Sequence, residues 1–239
     1  MTQSDSRSPV TAGHEDAATL AERVYRQIRA DIVSGALAPG FRLRLEPLRE
    51  RYAVGMSPLR EALARLASDT FATAIENRGY RVAELSRADL DDITTARVVV
   101  ERAALAQSIE LGDEAWEAEI VATHYRLTKV DARLGADDSK LLDSWEEANR
   151  AFHDALVAAC PSRWLQRFRA LLQDQSKRYR RVSLLESASV RSVSAEHDAL
   201  KEASLARSLP LALDLVEAHI RATADLIRDK LPAGSEPAD

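Results

Sequence analysis

A single cysteine, Cys160, occurs in the 239 residues, so neither an internal disulfide nor a multi-cysteine zinc site is available. Glycine and proline are scarce, eight of each, which excludes collagen-like and low-complexity chains. Aromatic residues make up only 5%, too few for a β-sandwich or barrel. No apolar run approaches the roughly 18 residues that a membrane-spanning helix needs. Residues 1–16 are polar and serine-rich, without the apolar segment of a signal peptide or anchor. A cytoplasmic location with no membrane partner is the expectation.

What the chain does have is 46% apolar and 30% charged residues, a globular balance, with Ala, Leu, Arg and Glu abundant. The net charge of −5 speaks against nucleic acid, but the average hides an uneven distribution. Residues 1–85 carry 12 Arg against 11 acids, and residues 41–81 carry eight Arg against five. The remaining residues, 86–239, carry 21 basic against 27 acidic groups. A modest basic patch on an acidic body is compatible with DNA binding.

The pattern along the chain changes once. Residues 1–18 read as a disordered tail, 19–84 as a domain of short mixed elements, 85–231 as long amphipathic helices, and 232–239 as a second tail. In the first domain Leu20, Val24, Ile28 and Ile32 recur every four residues, as on one helix face. Ser34-Gly35 ends that helix, and Pro39-Gly40 makes a turn. Phe41 to Leu45 alternates like a short strand, and Pro47 suits the first turn of a second helix. Ser57 then reads as the N-cap of a third helix, with Pro58 at its first position. Phe71 to Ile75 and Tyr80 to Leu85 read as two strands joined by a tight turn that contains Arg78 and Gly79. This order is that of a winged helix-turn-helix, whose third helix enters the major groove of double-stranded DNA. From Ser86 onward, long helices separated by Gly112-Asp113, Gly135 to Ser139, Pro161 and the serine-rich 183–194 describe an antiparallel bundle. The fold class is therefore mainly α with one small β-hairpin.

Residues 55–66, Gly-Met-Ser-Pro-Leu-Arg-Glu-Ala-Leu-Ala-Arg-Leu, resemble the recognition helix of GntR-type bacterial transcription regulators. Ile32 to Gly40 upstream and Arg78 to Val82 in the wing are similar to the same family. The helical half resembles the ligand-sensing domain of the FadR-type branch, through Arg97 with Glu101, Asn149-Arg-Ala-Phe-His153, Glu196-His197 and His219-Ile220. Two departures stand out. Gly55-Met56-Ser57 replaces the family's usual Ser-Arg-Thr, and Met56 lacks the bidentate guanine contact of an arginine. Asp69-Thr70-Phe71 replaces Glu-Gly-Leu between helix and wing.

The resemblance implies a ligand-responsive regulator, expected to be a repressor released by a small carboxylate effector, and a homodimer on a palindromic operator. Arg60, in the first turn of the third helix, is the leading candidate for a base or phosphate contact; the alternative is a surface arginine paired with Glu61 or Glu50. Ser57 caps its helix, touches phosphate, or does both. Arg49 and Arg51 are phosphate candidates or solvated residues, and Arg78 with Gly79 forms the wing contact. Arg42 and Arg44 read as solvation of a short strand.

In the helical half, Asn149 and His153 share one helix face, while His197 and His219 fall on two successive helices that can return antiparallel. Taken alone, scattered buried or surface histidines are the default reading. The resemblance turns them, with Asn149, into the ligands of a divalent transition metal such as zinc or nickel. The family usually has Asp at position 149; the asparagine carbonyl brings no charge, which leaves the site more attractive to an anion. Arg97 corresponds to the family's anion-holding arginine, with a salt bridge to Glu101 as its alternative. His14 and His124 read as surface residues, and Trp116, Trp145 and Trp164 as core or dimer interface. Two other functions remain at this point: a metal-dependent hydrolase, which would want a general base absent from the histidine motif, and a helical structural protein with an incidental wing.

Overall fold

The computed structural model describes residues 10–75, 79–133, 139–185 and 193–231. It divides into two compact units, residues 1–85 and 86–239.

The first unit contains α1 (Val10–Val33), β1 (Arg42–Leu43), α2 (Leu45–Arg51), α3 (Met56–Ser68), β2 (Ala72–Ile75) and β3 (Gly79–Val82). Helix α1 begins at Val10, so part of the expected tail of residues 1–18 is helical backbone; residues 232–239 lie outside the described residues. The four-residue apolar repeat buries Val24, Ile28 and Ile32 against α3. Helix α3 returns Leu59, Ala62, Leu63 and Leu66 from one face, each fully buried. Gly55, not Ser57, is its N-cap: the Gly55 backbone is extended, and the Leu59 N–H donates to the Gly55 carbonyl at 3.3 Å. Pro58 is tolerated at the third helical position because first-turn N–H groups have no partner within the helix.

The three strands form an antiparallel sheet in the order β1-β3-β2. Arg42 pairs with Arg81 and Leu43 with Tyr80, while Thr73 pairs with Arg81 from the other side. Leu43, Ala72 and Val82 face the core. Thr70, in the turn before β2, adopts φ 61°, a left-handed conformation that a β-branched residue rarely takes. The turn into β2 is therefore made at a conformational cost that a glycine would not incur.

The second unit is helical: α4 (Arg87–Leu111), α5 (Glu114–Asp131), α6 (Ser139–Leu156), α7 (Arg163–Leu185), α8 (Ser194–Leu205) and α9 (Leu209–Lys230). Ser86 caps α4 by accepting from the Asp89 N–H at 3.1 Å, and Asp113 caps α5 by accepting from the Trp116 N–H at 2.9 Å. Between them Gly112 leaves room for the Trp116 ring; a Cβ there would lie 2.4 Å from it. Helix α4 packs on α7 and α9, α5 on α6 and α8, and α8 on α9. The core includes Leu105, Ile120, Phe152, Leu200 and Ile220, together with Trp116 and Trp145. Trp164 is not in it. At 62% exposure it lies stacked on Phe168 at the surface.

Candidate functional site

Three helices deliver three imidazoles to one point in the bundle. His153 comes from α6, His197 from the first turn of α8 and His219 from the middle of α9. All three are buried, and their ring centroids stand 5.3, 5.0 and 5.0 Å apart. One nitrogen from each lies within 4.8 Å of the others. Two nitrogens on one tetrahedral zinc sit about 3.4 Å apart, so the cluster is within side-chain adjustment of a metal-binding geometry.

The surroundings orient His219 and set the protonation of His153. Glu196 Oε2 lies 2.8 Å from His219 Nδ1. A carboxylate only accepts, so Nδ1 carries a hydrogen, and in the neutral imidazole the lone pair is then on Nε2. Burial pushes the His153 imidazole well below the usual histidine range, helped by neighbouring His219, His197, Arg97 and Arg169. His153 is therefore neutral at pH 7, as a ligand must be. Its Nε2 and the Oδ1 of Asn149, one turn earlier on α6, are buried without a hydrogen-bond partner among the described residues. A buried polar atom without a partner is costly in a packed core unless something else satisfies it. This donor set fits a borderline divalent metal.

Arg97, on α4, opens into the same place. A cavity of about 20 Å³, room for roughly one water, is lined by Arg97, Asn149 and His153 with Glu146, Arg150, Gln173, Lys177 and Arg180. Arg97 also stands 3.6 Å from Glu101, the salt bridge that was the alternative to an anion-holding role. Burial lowers its guanidinium to about 10, with Glu101 opposing the shift. Glu101 Oε2 accepts from Arg169 at 2.7 Å, and Arg169 also donates to Asp154 at 2.6 Å and to the His153 carbonyl at 2.7 Å. Arg180 grips Glu146 with two bonds of 3.0 Å.

Sequence reasoning missed Arg169, Gln173, Lys177 and Arg180. Their spacing on α7 holds a signal: polar residues recur at helical period on a face that packs into the bundle. The orienting role of Glu196 was also missed. His124 is corrected outright: it is buried, edge-on to Phe152 at 5.4 Å, with Nε2 3.1 Å from Asp198. Its position on α5, facing α8, covers it, and it stands outside the three-histidine cluster.

On the first unit, Arg60 is exposed at the fifth position of α3, just past the first turn because the helix starts earlier than expected, and forms no ion pair with any described residue. Ser57 is exposed at the second helical position, and Met56 is half-buried at the first. Arg49 pairs with Glu46 at 3.2 Å and Arg51 with Asp31 at 2.6 Å. Gly79 opens β3 with φ 93°. Arg78 and the His14 side chain lie outside the described residues.

Comparison with known proteins covers both units. The family model described as bacterial regulatory proteins, gntR family, matches residues 20–82, and the FCD domain model matches residues 92–222. An uncharacterized HTH-type transcriptional regulator, BphR of Paraburkholderia xenovorans, is 39% identical over 210 residues, 88% of this chain and 86% of that protein. The HTH-type transcriptional repressor GlaR of Escherichia coli is 36% identical over 211 residues, 87% of this chain and 95% of that protein. Among solved structures, E. coli McbR/YncC aligns with a TM-score of 0.74 at 20% identity, covering 88% of this chain and 98% of that one. A putative GntR regulator from Rhodococcus sp. RHA1 aligns with a TM-score of 0.71 at 19% identity, covering 88% of this chain and 98% of that one. At these identities the structural likeness speaks for the fold alone.

Proposed function

The chain belongs to the gntR family of bacterial regulatory proteins and carries an FCD domain, and from that premise we propose that it is a metal-dependent sensor of a small carboxylate, acting as a repressor. It is a DNA-binding transcription regulator, and the hydrolase and purely structural readings fall with that membership. The observation that carries the sensor reading is the cluster of His153, His197 and His219 beside the unsatisfied Asn149 oxygen, with Arg97 in the same cavity. His153, His197, His219 and Asn149 would hold the metal, zinc or nickel by their neutral imidazole chemistry. A bound ion would supply positive charge that attracts an anion. Arg97 would bind the carboxylate of the effector and fix its orientation.

The cavity is too small for an effector larger than a water, so entry displaces cavity-lining side chains. Arg150 and Arg180, tied to Asp174 and Glu146, are the movable walls. Their displacement alters how α6 meets α7 and provides the difference between two states that release from DNA requires. Repression is supported by the similarity to GlaR, a transcriptional repressor. The regulator binds as a homodimer, because one recognition helix reads few base pairs and a palindromic operator doubles the contact. On DNA, Arg60 contacts a base or phosphate from α3, Ser57 assists at its start, and Arg49, Arg51, Arg78 and Gly79 complete the footprint.

The test is elemental analysis of protein purified without chelator, followed by binding to an operator selected from randomised duplexes. Metal at about one ion per chain, lost in His153→Ala, and DNA release by one member of a panel of small carboxylates are expected. Protein that holds no metal after reloading with zinc or nickel removes the metal from this proposal. DNA binding unaffected by every carboxylate at millimolar concentration removes the effector class.

A further inference from the structure

The outer face of the wing sheet carries an arrangement that packing does not explain. Directly paired residues on neighbouring strands share a face of the sheet. The register therefore places Thr73, Arg81 and Arg42 in one row across β2, β3 and β1, opposite the core-facing Leu43 and Val82. Two arginines directly opposite each other repel, and like charges in a cross-strand pair are destabilising. Arg81 has Glu84 at a loose 3.8 Å, whereas Arg42 forms no ion pair with any described residue. Two residues further on, Arg44 keeps an extended backbone (φ −77°, ψ 133°) and turns to the same side. It too is exposed and forms no ion pair with any described residue.

Arg42 and Arg44 line a surface hollow of about 390 Å³ with Phe41, Pro47, Leu48 and Arg51. The contrast with helix α2 is informative. Arg49 and Arg51 have carboxylate partners, Glu46 at 3.2 Å and Asp31 at 2.6 Å, that a phosphate would have to replace, whereas Arg42 and Arg44 can meet a ligand without breaking an ion pair to any described residue. Guanidinium groups on a sheet present planar forks that match phosphate oxygens and keep their charge at any physiological pH.

We propose that Arg42, Arg44 and Arg81 form a seat for phosphates of the DNA backbone, a second anchor that adds to the contacts of α3. The unit belongs to a DNA-binding family, so the ligand present in the bound state is a duplex, and its phosphates satisfy the repelling pair. Such contacts position the protein without reading sequence. The seat rests on the DNA-binding membership and not on the sensor, so the two readings can fail separately.

The experiment measures the salt dependence of binding to a mixed-sequence 30-base-pair duplex for full-length protein. Each phosphate contact contributes about 0.9 to the slope of log affinity against log salt. Arg42→Ala/Arg44→Ala is expected to flatten the slope by about 1.8, to weaken different duplexes equally, and to leave discrimination between them unchanged. Arg42→Lys/Arg44→Lys, which keeps the charges, is expected to restore most of the slope, and circular dichroism checks that both variants are folded. An unchanged slope in the folded alanine variant overturns the proposal. So does a loss confined to one duplex sequence, which would make these arginines readers of bases. Stabilisation by inorganic phosphate that the alanine variant loses while keeping the full DNA slope also overturns it, because the hollow would then serve a free anion.

Discussion

Removing the Glu196 carboxylate is the most direct probe of the histidine cluster, because Glu196 belongs to the second layer of the site. Its Oε2 stands 2.8 Å from His219 Nδ1, a contact that in the neutral imidazole favours the tautomer whose lone pair points away from the acid. Without it the imidazole can place its hydrogen on either nitrogen and turn about its bonds. Loss of such an orienting carboxylate weakens metal binding by roughly 10–100-fold, or about 1.4–2.7 kcal/mol. Glu196→Ala should show this full loss. Glu196→Gln should lose less, since the amide oxygen still accepts from Nδ1 but brings no charge. Titration of zinc against a competing chelator gives the affinities, and thermal melts of metal-free protein separate binding from folding. His124→Ala is the control: it is as buried as the trio but lies beside Asp198, so stability should fall while zinc affinity holds. Undiminished zinc affinity in Glu196→Ala, or an equal loss in His124→Ala, would refute the assignment.

Three further outcomes are expected. Arg97→Ala should retain the metal and lose carboxylate binding, read by isothermal titration of the metal-loaded protein, because Arg97 faces the cavity without being a ligand. Thr70→Gly should raise the melting temperature of the first unit slightly: relief of a left-handed threonine is worth about 1–2 kcal/mol, of which glycine's flexibility in the unfolded chain takes back about half. Tyr25, pushed up to about 12 by burial and by its 2.5 Å bond to Asp69, stays protonated in the folded unit while the unfolded chain ionises near 10. The unfolded state then binds fewer protons, so stability falls as pH rises from 10 to 12; Tyr25→Phe should flatten that fall in pH-dependent melts.

The architecture was readable because its signals are local. The four-residue repeat of α1, the breaks at Gly112-Asp113 and Pro161, and the shared face of Asn149 and His153 each depend on residues within a few turns. The start of α3 misled for a local reason too. Ser57-Pro58 matches a strong cap signal, yet proline fits the third helical position as well as the first, and Gly55 took the cap. What stayed hidden needs distant partners. Arg169 and Glu101 are 68 positions apart, and one sequence does not show that α4 and α7 bring them to 2.7 Å. The burial of His124 depends on α8, and periodicity on α7 marks an apolar face at Trp164 without saying whether another helix covers it.

Glu101 has a consequence beyond packing. One carboxylate faces two buried guanidinium groups, Arg97 and Arg169. Around the cavity five cations, Arg97, Arg150, Arg169, Lys177 and Arg180, face four carboxylates, Glu101, Glu146, Asp154 and Asp174, an excess of one positive charge. Four of these charges are matched by carboxylates, and on the proposed sensor reading an entering anion would balance the remaining one. If the proposed sensing holds, binding would follow a visitor's charge before its shape, and chloride at high concentration should compete weakly with a carboxylate.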